Sequence, residues 1–489
     1  MNRARTRRIF RNFGSLTTGK FFGHVSTFLL FVVLSRTFGQ HGIGQYSFAM
    51  GLTCFFVVFS EFGLYNLSIK EMSRRTDSLG DYCGGIFTLR LILSVGVFGV
   101  LLLVLPFLPF SFETKLIVVL IGAYQVIYKL MDGFTAVFVA REDMYLAGLM
   151  EFSLRAVIAL AGITVIMTGG SLVMALATMP AVTFGHLCVA YGIVTKKYGR
   201  PRLAASYSSL MHTLREAIPY TLSAISSPLF TRVDVVFLGF FLGAAAAGVY
   251  NVAYRVVFVL GFIPHFAALA LFPMASRLYV HSRKQLEALY HQSLNLMILI
   301  GLPAAFGLWL IAPDLINLVF GNAFAESASL LRFLAWLMFL WFLRSIMAIF
   351  LMSCDRQVER TKSQWIAASV NVLGNLLLIP TFGVKGAAIT TLISEALLVI
   401  LFAVRLGSVL GLPRVGSRLG ISGVATACFW VPFAFFPTLS SGVVIPASLL
   451  LYSGTLALFK QIRRNEIRTL VSLLKGDSGK MASTGHEVS

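Results

Sequence analysis

Long apolar runs separated by short polar gaps set the pattern of this chain. A membrane-crossing helix needs about 20 mostly apolar residues. Fourteen stretches meet that condition: 19–36, 46–68, 86–106, 115–138, 145–167, 172–195, 217–241, 249–275, 292–312, 329–352, 364–380, 386–406, 419–437 and 442–459. Basic residues gather in every second gap. They are Lys70, Arg74 and Arg75; Arg141; Lys196, Lys197, Arg200, Arg202 and Arg215; Arg277, Arg283 and Lys284; Arg356, Arg360 and Lys362; and Arg414 and Arg418. The other gaps carry little more than Arg36 and Lys385. Short cytoplasmic loops collect Lys and Arg, so the alternation predicts an all-α integral membrane protein with 14 transmembrane helices and both termini cytoplasmic. Losing one span would invert every later loop and destroy the pattern.

Composition agrees. The 489 residues are 57% hydrophobic and 12% charged, where a soluble chain would have about 45–50% and 25%. The net charge of +20 is dispersed in short loops rather than gathered in a patch. It orients the protein and meets anionic membrane lipids; nucleic acid is not an expected partner. The five cysteines lie singly, with no CxxC and no Cys/His cluster, so neither a disulfide framework nor a metal site is expected, and no cofactor. The basic start, MNRARTRRIFRNFG, leads into a retained first span. No hydrophilic segment is large enough for a catalytic domain, and there is no HExxH, Walker loop or GxSxG. The chain is not expected to be an enzyme.

The sequence also repeats itself. Gly39, Gly44, Tyr46 and Ala49 match Gly243, Gly248, Tyr250 and Ala253 at an offset of 204. Ala136, Phe138 and Asp143 match Ala348, Phe350 and Asp355 at an offset of 212. The duplicated unit holds six spans. Six is even, so the copies have the same orientation, as in several secondary transporters. The expected organisation is a six-helix bundle over 1–200, a second over 201–411, and two additional helices with a basic cytoplasmic tail over 412–489. In that tail, 460–475 can form a helix lying on the inner leaflet, or a frayed extension.

Function must then reside among the spans, where ionisable groups are costly and usually face a cavity or a partner. The basic candidates are Lys20, Arg90, Lys129, Arg155, Arg232, Arg255, Arg332 and Arg344; the acidic ones are Glu61, Asp132, Glu151, Asp234 and Glu395. The cationic surplus favours an anionic ligand. Lys20, Arg90 and Arg332 lie near span ends, where they can snorkel to the headgroups. Lys129 with Asp132 and Glu151 with Arg155 are spaced to pair on one helix face. Arg232 and Asp234 cannot face each other on one helix, so at least one must find another partner, such as Arg255 for Asp234. Arg344 has no acid within a turn. Arg232, Arg255 and Arg344 are therefore the first candidates for ligand contact, with Lys129 and Arg155 behind them. Asp234, Asp132, Glu151, Asn371, Asn375 and His24 are candidate polar or pairing groups of the same cavity. The prolines of spans 7 to 9 free backbone carbonyls and bend their helices.

The segments FGQHGIGQYSFA, RVDVVFLGFFLGAAAAGVYNVAYRV, LFPMASRL, FGNAFAESASLLRFLAW and NVLGNLLLIPTFGVKGAAITTLISE carry a resemblance. Through them the chain resembles the polysaccharide-export (Wzx-type) branch of the multidrug/oligosaccharidyl-lipid/polysaccharide flippase superfamily, from about residue 15 to 405. The resemblance implies two six-helix bundles around a central cavity that opens alternately to either side. It implies a cargo of undecaprenyl-diphosphate-linked oligosaccharide, turned to the outer leaflet of the bacterial cytoplasmic (inner) membrane. A polysaccharide polymerase and chain-length proteins are expected partners. Arg can bind a diphosphate bidentately. The membrane potential favours outward movement of an anion by about 2.3 kcal/mol per charge per 100 mV. Two alternatives stay within the superfamily: a drug/cation antiporter, which needs unpaired acids, and a peptidoglycan lipid-precursor flippase.

Overall fold

The computed structural model describes residues 3–74, 82–200 and 206–411, with 420, 426 and 452. Among these the chain is helical throughout and has no strand. The helices are α1 (Arg3–Glu61), α2 (Leu64–Arg74), α3 (Tyr82–Val104), α4 (Phe112–Ala140), α5 (Met144–Met167), α6 (Leu172–Tyr198), α7 (Tyr207–Thr231), α8 (Val233–Phe241), α9 (Ala244–Leu260), α10 (Phe262–His281), α11 (Arg283–Phe320), α12 (Ala325–Ser353) and α13 (Gln357–Leu410). Nine continuous helical stretches among the described residues are long and apolar enough to cross a membrane. Two of them hold two spans each, because α1 breaks at Gly39 (φ 62°) and α13 at Gly383 (φ 60°). The first twelve expected spans all fall on these helices. Spans 13 and 14 and the tail after them lie outside the described residues, apart from the three isolated positions.

Two spans are interrupted where the sequence predicts continuity. Between α1 and α2, Phe62 and Gly63 adopt φ of 41° and 66°. Between α7 and α8, Arg232 leaves the helix at φ −133°. A positive φ is costly for phenylalanine, so the first break is held by its surroundings. A Cβ at Gly63 would stand 2.6 Å from the Tyr220 Cβ and 2.9 Å from the Thr221 amide nitrogen.

The backbone records the duplication independently of side chains. Left-handed residues recur in register: Gly39 with Gly243, Glu142 with Asp355, Gly169 with Gly383, and the helix caps Gly199 with Gly411. The turns at Glu142 and Asp355 also share their hydrogen bonds: Asp143 N to Phe138 O, and Arg356 N to Leu351 O, both 2.8 Å. This backbone match runs one residue past the side-chain match at that point.

Contacts group the chain into two compact units: Met1–Val252 with Val319–Phe324 and Val372–Ala387, and Ala253–Leu318 with Ala325–Asn371 and Ala388–Ser489. Within the first, α1 and α9 cross at reciprocal glycines. A Cβ on Gly44 would stand 1.7 Å from the Ala244 carbonyl oxygen, and one on Gly248 would stand 2.2 Å from that of Gln40. Since 40 and 44 become 244 and 248 at the repeat offset, the crossing has local two-fold symmetry. Nearer the N-terminus, Gly19 and Gly23 lie against α5 in the small-residue manner of membrane helix pairs; a Cβ at Gly19 would be 2.3 Å from the Gly148 carbonyl oxygen.

In the second unit, Pro303 interrupts the hydrogen bonding of α11 and frees the carbonyl one turn earlier, at Leu299. The buried Tyr452 hydroxyl donates to that carbonyl at 2.6 Å. Tyr452→Phe is expected to cost about 1–3 kcal/mol of stability, since it leaves a buried acceptor unpaired. The loss should shrink in a Pro303→Ala background, where the alanine amide can donate instead. Thermal unfolding of the four variants in detergent measures both.

Candidate functional site

The first unit gathers ionisable groups from four helices. Polar residues line one stripe of α4: Gln125, Lys129 and Asp132, at helical spacing. Gln125 donates to the Thr53 hydroxyl at 2.6 Å and to the Met50 carbonyl at 3.2 Å on α1. The break after Glu61 ends α1 beside this stripe, and the Lys129 ammonium donates to the Glu61 carboxylate. Lys129 lies 3.6 Å from Asp132, one turn on. Arg90 reaches in from α3 with no exposed surface, and its Nη1 donates to the Lys129 carbonyl at 2.7 Å. Gly133 makes the room: a Cβ there would stand 3.1 Å from that nitrogen. The Arg90 Nε and Nη2 make no hydrogen bond, and the group feels Asp132 and Glu61 only through space.

A second carboxylate centre adjoins on α5. Arg155 grips Glu151 with Nε at 2.7 Å and Nη2 at 2.5 Å, and the Tyr128 hydroxyl donates to the same carboxylate at 3.0 Å. Gly23 of α1 packs on this pair; a Cβ there would be 2.8 Å from the Arg155 Cδ. The neighbouring His24 is half-buried, and the exposed Lys20 acts on Glu151 through space. In this cluster Glu61, Asp132 and Glu151 balance Arg90, Lys129 and Arg155.

Arg232 stands apart from that balance. It sits half-buried in the break between α7 and α8, and among the described residues its side chain makes no hydrogen bond or ion pair. Cys54 feels Arg232, Lys129 and Glu61 together, so Arg232 lies near the cluster. Asp234 is buried two residues on; the Tyr250 hydroxyl donates to it at 2.5 Å. Asn375 is buried in the same unit.

The second unit has its own charged pair. Arg344 places Nε 2.9 Å from Glu395 Oε1 and its guanidinium 5.6 Å from the centre of the Trp341 ring. Glu395 is fully buried. Asn371 donates to the Ser394 hydroxyl at 3.0 Å. Arg255 lies 5.8 Å over the Phe258 ring and Arg332 lies 5.4 Å over Trp309.

These positions change the expectations. Arg344 has no acid within a turn of its own helix, and its carboxylate is Glu395 of α13. Lys129 and Arg155 are compensated too, Lys129 by a residue of α1 as well as by its own helix. Arg90, expected to reach the headgroups, is enclosed. Sequence reasoning missed the Tyr128 and Gln125 contacts, although both sit on the α4 stripe that spacing alone defines. Among the described residues no group of three or more His, Cys, Asp or Glu side chains can hold a metal.

A multi-span helical chain with a charged interior and a duplicated backbone defines the class of a secondary transporter. The comparisons narrow this: residues 9–279 match the polysaccharide biosynthesis protein family, more than half the chain, and the protein belongs to that family. It is 24% identical over 319 residues to the probable low-salt glycan biosynthesis flippase Agl15 of Haloferax volcanii, covering 63% of this chain and 68% of that one. The fold is that of the lipid II flippase MurJ in its inward closed conformation, with a TM-score of 0.77 at 14% identity over 91% of this chain and 98% of that one. An inward-facing multidrug-resistance transporter of the MOP superfamily gives a TM-score of 0.63 at 15% identity, over 79% of this chain and 95% of that one. The match to the polysaccharide biosynthesis family agrees with the polysaccharide side of the resemblance expected from the sequence.

Proposed function

We propose that the protein is a flippase that carries an undecaprenyl-diphosphate-linked oligosaccharide from the cytoplasmic to the outer leaflet by alternating access, for surface or exopolysaccharide assembly. The observation that supports the reading is the charged cluster at membrane depth, with Arg232, unpaired among the described residues, near it. An enclosed network with one spare cation suits an anionic headgroup better than a drug cation. The names of Agl15 and MurJ point the same way. Under this reading the headgroup is met by Arg232, with Lys129, Arg155, Arg255 and Arg344 as further contacts once their partners release them. The bundles span 1–200 and 201–411, and residues 412–489 add two helices and a basic tail. Both termini are cytoplasmic, the membrane is the bacterial inner membrane, and a polymerase and chain-length proteins work downstream. The membrane potential drives the anion outward.

Arg232→Gln and Arg255→Gln should each abolish polymer export, with normal amounts of protein in the membrane. Export is read by surface-polymer staining of a complemented deletion strain, with lipid-linked oligosaccharide accumulating in the inner leaflet. Unchanged export in both variants would remove these residues from the diphosphate site.

A further inference from the structure

We propose that Lys129 and Arg90 share two carboxylates so that one cation can leave: Lys129 turns to the lipid diphosphate, and Arg90 holds Glu61 and Asp132 compensated while it is gone. This rests on the lipid-diphosphate reading above.

The geometry gives the two cations different freedoms. The Lys129 side chain is 24% exposed and ends in a mobile ammonium on a flexible stem. Of the two cations it is the one that a ligand can reach. Arg90 has no exposed surface and is pinned by its bond to the Lys129 carbonyl and by the fit against Gly133. Its Nε and Nη2 are buried without hydrogen bonds while the through-space partners Asp132 and Glu61 are engaged by Lys129. A buried guanidinium with spare donors beside two occupied carboxylates is arranged to take them over. Arg90 is thus a positioning residue that never meets the substrate.

Charge counting states the consequence. At rest, Glu61 and Asp132 balance Lys129 and Arg90. With Lys129 on the diphosphate, the remainder is one negative charge, which competes with the ligand and keeps its binding reversible. Without Arg90 the resting group is already negative and repels the ligand. Without one carboxylate it is positive and holds the ligand too well.

The test uses the full chain in proteoliposomes. Binding of farnesyl diphosphate is measured together with transbilayer movement of a fluorescent polyprenyl-diphosphate sugar. Arg90→Gln should raise KM on the order of tenfold, as expected for one uncompensated charge in a low-dielectric site. Glu61→Gln should bind farnesyl diphosphate on the order of tenfold more tightly and turn over more slowly, lowering KM and kcat together. The double variant Arg90→Gln/Asp132→Asn, neutral again, should recover most of the wild-type KM, and Arg90→Lys should lie between. A double variant no better than Arg90→Gln, with no tightening in Glu61→Gln, would show that Arg90 serves packing alone and overturn the exchange. If Arg90→Gln fails to fold, Glu61→Gln and Arg90→Lys decide: unchanged farnesyl diphosphate affinity in the first with a wild-type KM in the second would overturn the exchange. Wild-type protein that neither binds nor moves either probe would overturn the transport reading itself, and the exchange with it.

Discussion

Gly44→Ala and Gly248→Ala should each destabilise the protein at or above the upper end of the roughly 1–3 kcal/mol seen for overpacked sites, whereas Gly99→Ala should not. All three changes add one methyl group to an apolar helix. At Gly44 the new Cβ would stand 1.7 Å from the Ala244 carbonyl oxygen, and at Gly248 2.2 Å from the Gln40 carbonyl oxygen. Neither obstacle is a side chain that can rotate away, so α1 and α9 must part. At Gly99 nothing lies within 4 Å, and alanine should gain up to about 1 kcal/mol from helix propensity. Thermal unfolding in detergent separates the outcomes. Because the crossing is reciprocal, the two damaging variants should resemble each other. A large difference between them would mean that the local symmetry does not govern the contact.

Arg344→Gln should cost about 3–5 kcal/mol by leaving the Glu395 carboxylate buried without its partner. Glu395 has 1% of its side chain exposed and Arg344 has 26%. The acid therefore has no route to water, and the guanidinium has a partial one. Glu395→Gln should accordingly be the milder change, and Arg344→Gln/Glu395→Gln should restore most of the stability lost by Arg344→Gln. The double-mutant cycle on unfolding temperature reads the coupling directly. Equal losses in both single variants and no recovery in the double would show that packing around Trp341, rather than charge, is what the pair maintains.

Local signals in the sequence were sufficient for some of these features and not for others. A span declares itself by about 20 apolar residues in a row, and the spans within the described residues were legible in this way. The repeat was legible through Gly39 and Gly243, because a left-handed backbone favours glycine. The breaks after Glu61 and at Arg232 were not legible. Each lies in an apolar stretch that reads as continuous helix, and the close approach that leaves no room for a side chain at Gly63 comes from Tyr220 and Thr221 on a different helix. The site divides in the same manner. Glu151 with Arg155 was readable from i,i+4 spacing, since both sit on one face of α5. Lys129 with Glu61, and Arg344 with Glu395, join different helices, and no local spacing announces them. Arg90 was misread because it lies only a few residues into its helix. Its burial depends on Gly133, more than forty positions later, having no side chain.

The reciprocal contact of Gly44 and Gly248 also bears on ancestry. A forebear of half this length, meeting a twin of itself, would have formed the same crossing as a homodimer. Fusion of two such genes would release each half from serving both roles. Mutations could then accumulate on one side without being imposed on the other. A glycine that still mirrors its counterpart marks where that freedom was never granted.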